Sequence, residues 1–452
     1  MGNRGFTGAA GACQKERLHA RKVRLLTGGL PYFCARMRGG FGWLSATFLV
    51  VANMIGTGIY TTSGFIAQAL PAGMGILGLW VLGGLAALGG ALAYAELAKR
   101  YPRSGGEYHF LGRLYHPVVG YMAGLVSLVA GFAAPIAASA FAFAAYLPLP
   151  LSETARKLAA AGLILALAGV HTLGLVRGAR IQNAFVLLKL LLLSGLVVGG
   201  LWITPETPTE LTCPRLSLET LQTAAVALIF VSFAYSGWNA AAYIMSEVPA
   251  ATRTVPRAIL LGTLLVTVLY VGFNYALLRH LAIAELSGEV VVGRLLAQRL
   301  WGEEGHQLFG WGVSLAMVSS VSAMLMIAPR VASVMGEDYP RLAALAHRNS
   351  AGAPLPAIFL VAGLALVFLF SAAFDAVMNY IGFTLSLSAG LTVAGLFWRH
   401  RQEKNLPWTL GLVFLALTAW MVTNNVWERP WESLAGLATL GLVGTSYLWA
   451  RK

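Results

Sequence analysis

Apolar runs of roughly 17 to 25 residues follow one another along nearly the whole chain, each the length a helix needs to cross a hydrocarbon core of ~30 Å. They are apolar on all sides, whereas the strands of a membrane barrel alternate in polarity. Of the 452 residues, 58% are hydrophobic and 11% charged, against about 25% charged in an average soluble domain. The sequence therefore reads as an all-α integral membrane protein.

We place about twelve spans. The first six lie near 41–67, 74–98, 117–147, 158–174, 181–203 and 217–247; the second six lie near 257–280, 307–331, 355–373, 376–398, 407–425 and 430–450. The softest divisions are around Asp375 and Asn424. Basic residues test this topology. Of 32 Lys and Arg, 24 fall in the tails and loops on the N-terminal side and 7 on the other, with Lys189 left inside a span. Basic loops mark the cytoplasmic face, so a multi-pass protein of the cell membrane with both termini cytoplasmic is expected. The same asymmetry accounts for the net charge of +14, and no nucleic-acid partner is called for.

Residues 1–40 carry eight Lys or Arg and one Glu and lack the apolar core of a signal peptide. They read as a basic cytoplasmic tail attracted to anionic lipid. A second candidate start is Met37, because "MRGGFGWL" runs directly into the first span. Cys13, Cys34 and Cys213 have no metal-site spacing, so neither a metal nor a structural disulfide is expected.

Two spans carry unusual centres. "NMIGTGIY", Asn53 to Tyr60, puts two glycines and a threonine in the middle of the first; "FAYSGWNA", Phe233 to Ala240, does the same in the sixth. Glycines in a span can simply allow close helix packing. Two interruptions opening successive sets of five spans point instead to broken helices at a binding site, and an odd number of spans per set makes the sets inverted. In such a break the second half-helix, starting near Gly58, offers free N–H groups and a positive dipole end to a carboxylate. The half-helices ending near Ile55 and Phe233 offer carbonyls to an ammonium. A zwitterion matches both, which makes an α-amino acid the leading substrate class.

"MIGTGIY", "YAELAKRYPRSGGEYHFL" and "FAYSGWNAAAYIMSEV…RTVPRAI" together resemble the amino acid–polyamine–organocation superfamily, most closely its L-type amino acid transporter-like branch, over residues 41 to 400. The resemblance implies a LeuT-like five-plus-five inverted repeat, with helices 1–5 in 41–203, helices 6–10 in 217–400, and two further helices in 407–450. It implies that the backbone of Thr57 and Gly58 meets the substrate carboxylate, and that carbonyls of Ile55, Phe233 and Ala234 meet its amine. It also puts Tyr235, Trp238 and Asn239 along the side-chain pocket and outer gate. For Trp238 ordinary helix packing is an equal reading.

Lys189, in "AFVLLKLLLLSGL", lies about eight residues into the fifth span, roughly 12 Å at 1.5 Å per residue. An ionisable residue at that depth is a functional-site candidate by default, snorkelling being the alternative. It resembles the fifth-helix lysine of sodium-independent members of the branch. The resemblance implies that its ammonium stands where coupled relatives hold sodium, between the carbonyl of Gly56 and Ser320 in "MVSSVSAML". Transport without sodium, by exchange or with protons, is the expectation. Ser322 and Ser319 depart from the Asn and Gly usual in that eighth-helix motif. The loop 148–157 lacks the cysteine of members that pair with a glycoprotein, so no disulfide-linked heavy chain is expected.

Several weaker features remain. Glu96 and Glu107 read as partners of Lys99, Arg100 or Arg103. Glu247, followed by Arg253 and Arg257, suits an inner gate or a helix cap. Residues 285–301 have the apolar spacing of a lid helix. His171, His280 and His306 share no metal spacing. An intramembrane enzyme is not supported, because there is no H-E-x-x-H motif, no Ser/His/Asp set and no paired intramembrane carboxylates. Polyamine or cationic amino acid transport would call for acidic pocket residues that the central spans lack. That substrate class stays as one alternative, and a substrate-sensing receptor on the same scaffold is the other.

Overall fold

The computed structural model describes residues 42–173, 178–205, 211–371, 373–403 and 405–451, and they form helices with no strand among them. The basic segment 1–40, the start at Met37, Cys13 and Cys34 lie outside these residues, as does the side chain of Glu247. Eleven of the described helices or helix pairs are long and apolar enough to cross a membrane, and a shorter apolar helix, Leu355–Ser371, stands where a twelfth is expected.

The first span is two helices, α1 (Trp43–Met54) and α2 (Thr57–Ala69), separated at Ile55 and Gly56. α3 (Gly73–Arg100) returns across the membrane. A short helix, α4 (Glu107–Leu114), follows it, and the third span comprises α5 (Pro117–Val126), a π-helical stretch Ser127–Ala133 and α6 (Ala134–Tyr146). α7 (Glu153–Thr172) and α8 (Gly178–Trp202) complete the first five spans.

The sixth span again is broken. α9 (Leu218–Tyr235) ends in a turn at Ser236–Asn239 and continues as the 3₁₀ segment Ala240–Glu247. α10 (Ala251–His280), the one-turn α11 (Ile283–Leu286) and α12 (Val292–Asp338) follow. Gly302 has φ +68 inside α12, so a short helix before it is set off from the span after it. That short helix buries Val292, Leu296 and Leu300, the stretch expected as a lid. The last elements are a 3₁₀ turn, Pro340–Ala346, then α13 (Leu355–Ser371), α14 (Phe374–Arg399), α15 (Trp408–Glu428) and α16 (Pro430–Arg451). Lys99 and Arg100 end α3 and Arg399 ends α14, and the pairs Arg100–Glu403 and Arg103–Asp338 hold these ends and that of α12 on one side, called here the basic face.

Local sequence explains the ends. Ser152 and Ser217 accept from the amides of Ala155 and Thr220, capping α7 and α9, and Pro117 opens α5. The core lies where the two broken spans touch. A Cβ on Gly58 would stand 2.4 Å from the Ala234 Cα, and one on Gly237 would stand 2.8 Å from the Asn53 carbonyl carbon. Gly237 also has φ +98, a conformation that L side chains rarely adopt.

Gly237→Ala should therefore lower the melting temperature of the purified protein in detergent, with a cost of about 1–3 kcal/mol. Gly162→Ala is the control, since a Cβ there meets nothing within 4 Å. Equal melting of Gly237→Ala and the parent would contradict the close approach.

Candidate functional site

The break in the first span changes the hydrogen bonding of the turn before it. In a continuous helix the Gly56 amide would donate to the Ala52 carbonyl. It donates instead to the Met54 carbonyl, at 2.9 Å, and Ala52 loses its intrahelical partner. Lys189 takes that place. Its Nζ donates to the Ala52 carbonyl at 3.1 Å and to Ser320 Oγ at 2.7 Å, in a site with no solvent exposure. The backbone partner is thus Ala52, not the Gly56 carbonyl that the resemblance implies. Gly56 nevertheless faces the same serine, as a Cβ there would stand 4.0 Å from Ser320 Oγ.

The Met54 carbonyl also accepts from Tyr270 Oη at 2.5 Å. Beyond the break, Thr57 and Gly58 open α2, and their amides are among those that a helix start leaves without intrahelical acceptors. Their own carbonyls accept from Thr61 and Thr62 Oγ1. In the sixth span the Phe233 carbonyl accepts from the Ser236 amide at 3.0 Å, while Ala234 lies against Gly58. Ile55, Gly56, Thr57, Gly58, Phe233 and Ala234 are therefore one cluster around two adjoining breaks.

The other three expected residues reach partners beyond this cluster. Tyr235 donates to the Trp80 carbonyl at 3.0 Å and packs against Tyr270. Trp238 sets its ring edge-on to Tyr94, 4.6 Å between centroids, and to Phe414. Asn239 Nδ2 donates to Glu107 Oε1 at 3.1 Å. Trp238 and Asn239 thus sit on the basic-face side of the break, against α3 and α4 rather than at an outer gate. The turn at Ser236–Asn239 is the cause: with the helix unwound there, these side chains no longer follow the helical face that Phe233 lies on.

Glu107 also departs from expectation. Among the described residues it makes no ion pair. It is buried and accepts from Tyr94 Oη at 2.6 Å, Ser388 Oγ at 2.6 Å and Asn239 Nδ2, joining α3, α4, α14 and the sixth span. Glu96 does pair with Lys99 and Arg100, and Arg103 pairs with Asp338. Nearby, Tyr243 Oη lies 3.2 Å from Ser127 Oγ in the π stretch. The Tyr243 ring also covers Gly106, where φ is +53. On the opposite face the Gly288 amide donates to the Gly64 carbonyl, and Tyr146 Oη bridges the Tyr60 carbonyl and the Gly293 amide. The breaks lie between these two sets of contacts.

Three of these features escape sequence reasoning. Nothing in "SLVAGFA" announces a π stretch. The carboxylate contacts of Glu107 come from positions 13, 132 and 281 residues away. The buried Asn379–Asn425–Ser433 network spans α14, α15 and α16. Two of the three histidines hold structural partners: His280 meets the Gly200 carbonyl and His171 meets Ser322. Among the described residues no group of His, Cys, Asp or Glu could hold a metal ion, and Cys213 is free and exposed.

Comparison with known proteins agrees in extent. The family model described as "Amino acid permease" matches residues 41–437. Large neutral amino acids transporter small subunit 2 of Homo sapiens is 26% identical over 429 residues, covering 88% of this chain and 78% of that protein. The b(0,+)-type amino acid transporter 1 of Homo sapiens is 26% identical over 409 residues, covering 87% and 84%. Asc-type amino acid transporter 1 of Homo sapiens is 27% identical over 415 residues, covering 86% and 78%.

Burial raises the Glu107 carboxyl above its ordinary value, against the lowering effect of its Ser388, Tyr94 and Asn239 bonds. The folded chain thus holds this proton more tightly than the unfolded chain does. That contribution to stability is complete below the unfolded value of about 4.3 and is lost as pH rises through the raised value. Thermal melts across that window should show wild type losing stability with rising pH more steeply than Glu107→Gln, which cannot ionise. Parallel pH profiles would remove the buried carboxylate from the account.

Proposed function

We propose that this chain, which belongs to the amino acid permease family, is a secondary transporter that carries amino acids, and not an enzyme. The finer reading is ours: a sodium-independent carrier of neutral amino acids, working by alternating access and driven by exchange or by protons. The observation that carries it is the junction of the two broken spans, where α2 presents its leading amides beside carbonyl-ended half-helices. Amides favour a carboxylate and carbonyls an ammonium. Thr57 and Gly58 would bind the first, and Ile55, Phe233 and Ala234 the second.

Sodium independence is supported by Lys189. Its ammonium already donates to the Ala52 carbonyl and Ser320 Oγ, the kind of oxygen ligands a sodium ion would need. A neutral side chain is supported by the placement of acids, since those in the spanning helices stand at helix ends, as Glu96, Asp338, Asp375 and Glu428 do. The stacked rings of Phe65 and Phe230 beside the sixth span are apolar. Relatives whose names cover neutral amino acids and the Asc type fit this reading.

In this reading helices 1–5 (41–203) and 6–10 (217–400) are the inverted repeats, and 407–450 supplies two accessory helices. The basic face is cytoplasmic, with both termini inside the cell membrane. Tyr94, Glu107, Asn239 and Ser388 release when that face opens, while Gly64, Tyr146 and Gly293 part when the other does.

Labelled neutral amino acid uptake into proteoliposomes in sodium-free buffer tests this. Uptake only into vesicles preloaded with amino acids identifies exchange, and uptake into empty vesicles that grows with an inward proton gradient identifies symport. Lys189→Ala should abolish either. Dependence on sodium, or undiminished uptake by Lys189→Ala, would overturn the reading.

A further inference from the structure

A cleft of about 290 Å³ opens on the basic face, away from the helix breaks, between the end of α3 and α4. Its lining is Arg100, Tyr101, Pro102, Arg103, His109 and Arg113, three guanidinium groups and an imidazole with no acidic side chain among them. The acids that balance two of these arginines stand outside the lining. Arg100 lies between Glu96 and Glu403, at 2.8 and 2.7 Å. Arg103 reaches Asp338 with Nη2 alone, leaving Nη1 and Nε uncommitted to that carboxylate.

Arg113 is exposed and has no ion pair among the described residues. Its charge is felt by its neighbour: the His109 imidazole is pushed down to about 4, first by burial and then by Arg103 and Arg113, with Asp338 opposing. His109 is therefore neutral near pH 7, able to accept or donate one hydrogen bond. Tyr101 sits edge-on to it, 6.5 Å between ring centroids.

The level of the cleft matters as much as its charge. Arg100 ends one spanning helix and Pro117 begins the next, so the cleft lies where hydrocarbon gives way to headgroups. Tyr115, 43% exposed, points its hydroxyl to the Leu391 carbonyl beside it, an amphipathic ring of the kind enriched at that depth. Basic pockets between spanning helices at this level suit anionic lipid headgroups.

We propose that this cleft binds a phosphate group, with Arg113 and the Nη1 and Nε groups of Arg103 as its donors and His109 as a third. A phosphodiester in an anionic lipid and a free phosphate share that chemistry. Planar guanidinium groups match phosphate oxygens two at a time, whereas a single ammonium acts as a point charge. None of the lining residues is among those placed at the two breaks, so the test does not depend on the transport reading.

Native mass spectrometry of the purified full chain, titrated with phosphatidylglycerol or phosphatidylcholine, measures it. Phosphatidylglycerol should bind about tenfold or more tighter than phosphatidylcholine. Arg103→Gln/Arg113→Gln should remove that preference, while Arg215→Gln, exposed at another loop, should keep it. If inorganic phosphate displaces the lipid, the phosphate group alone is the ligand; if not, the site needs the lipid. Equal binding of the two lipids, or an unchanged preference in the double variant, would overturn the proposal. A melt of the double variant equal to the parent's confirms that any loss of preference is not unfolding.

Discussion

Inside a bilayer a backbone carbonyl or amide without a partner costs several kcal/mol, so a broken helix survives only if other groups take over its hydrogen bonds. The break at Ile55 and Gly56 is held by this substitution. The Ala52 carbonyl, released by the Gly56 amide, is taken by Lys189, and the Met54 carbonyl is shared by that amide and Tyr270. The buried lysine is thereby a structural consequence of the break as well as a candidate coupling group. Two oxygens meet its Nζ there, one from each neighbouring span.

The second break depends on the first. Gly237 fits its positive φ against the Asn53 backbone, and Gly58 lets α2 reach Ala234. Neither approach admits a side chain. The polar groups around the breaks are therefore mostly backbone, suited to the parts that all amino acids share and indifferent to what distinguishes one from another. On either side of the breaks, single hydrogen bonds such as Ser388 to Glu107 and Gly288 to Gly64 join separate helices, and in the proposed cycle these are the contacts that part.

Much of the fold was legible because the hydrocarbon imposes it: long apolar runs, basic loops on one side and glycines at the interruptions follow from composition and spacing. The pair Lys189 and Ser320 was legible through resemblance, but its backbone partner was not, since the choice of Ala52 over Gly56 depends on how the broken turn closes. Glu107 was misjudged for a related reason. Its neighbours in sequence are arginines, which bias the reading towards surface ion pairs. In the fold, α4 turns it inward to three neutral donors. The places of Trp238 and Asn239 came from the resemblance alone, and the unwinding at Ser236–Asn239 turns them against α3 and α4.

In the proposed function the junction of the two breaks recognises both charges of an amino acid through backbone groups. Ligand-induced thermal stabilisation of the purified chain by leucine, by its decarboxylated amine and by its deaminated acid tests it most directly. The account predicts saturable stabilisation by leucine, with each analogue weaker by roughly tenfold or more, as loss of a charge-assisted hydrogen-bonding group requires. An amine or an acid that binds as tightly as leucine would contradict it.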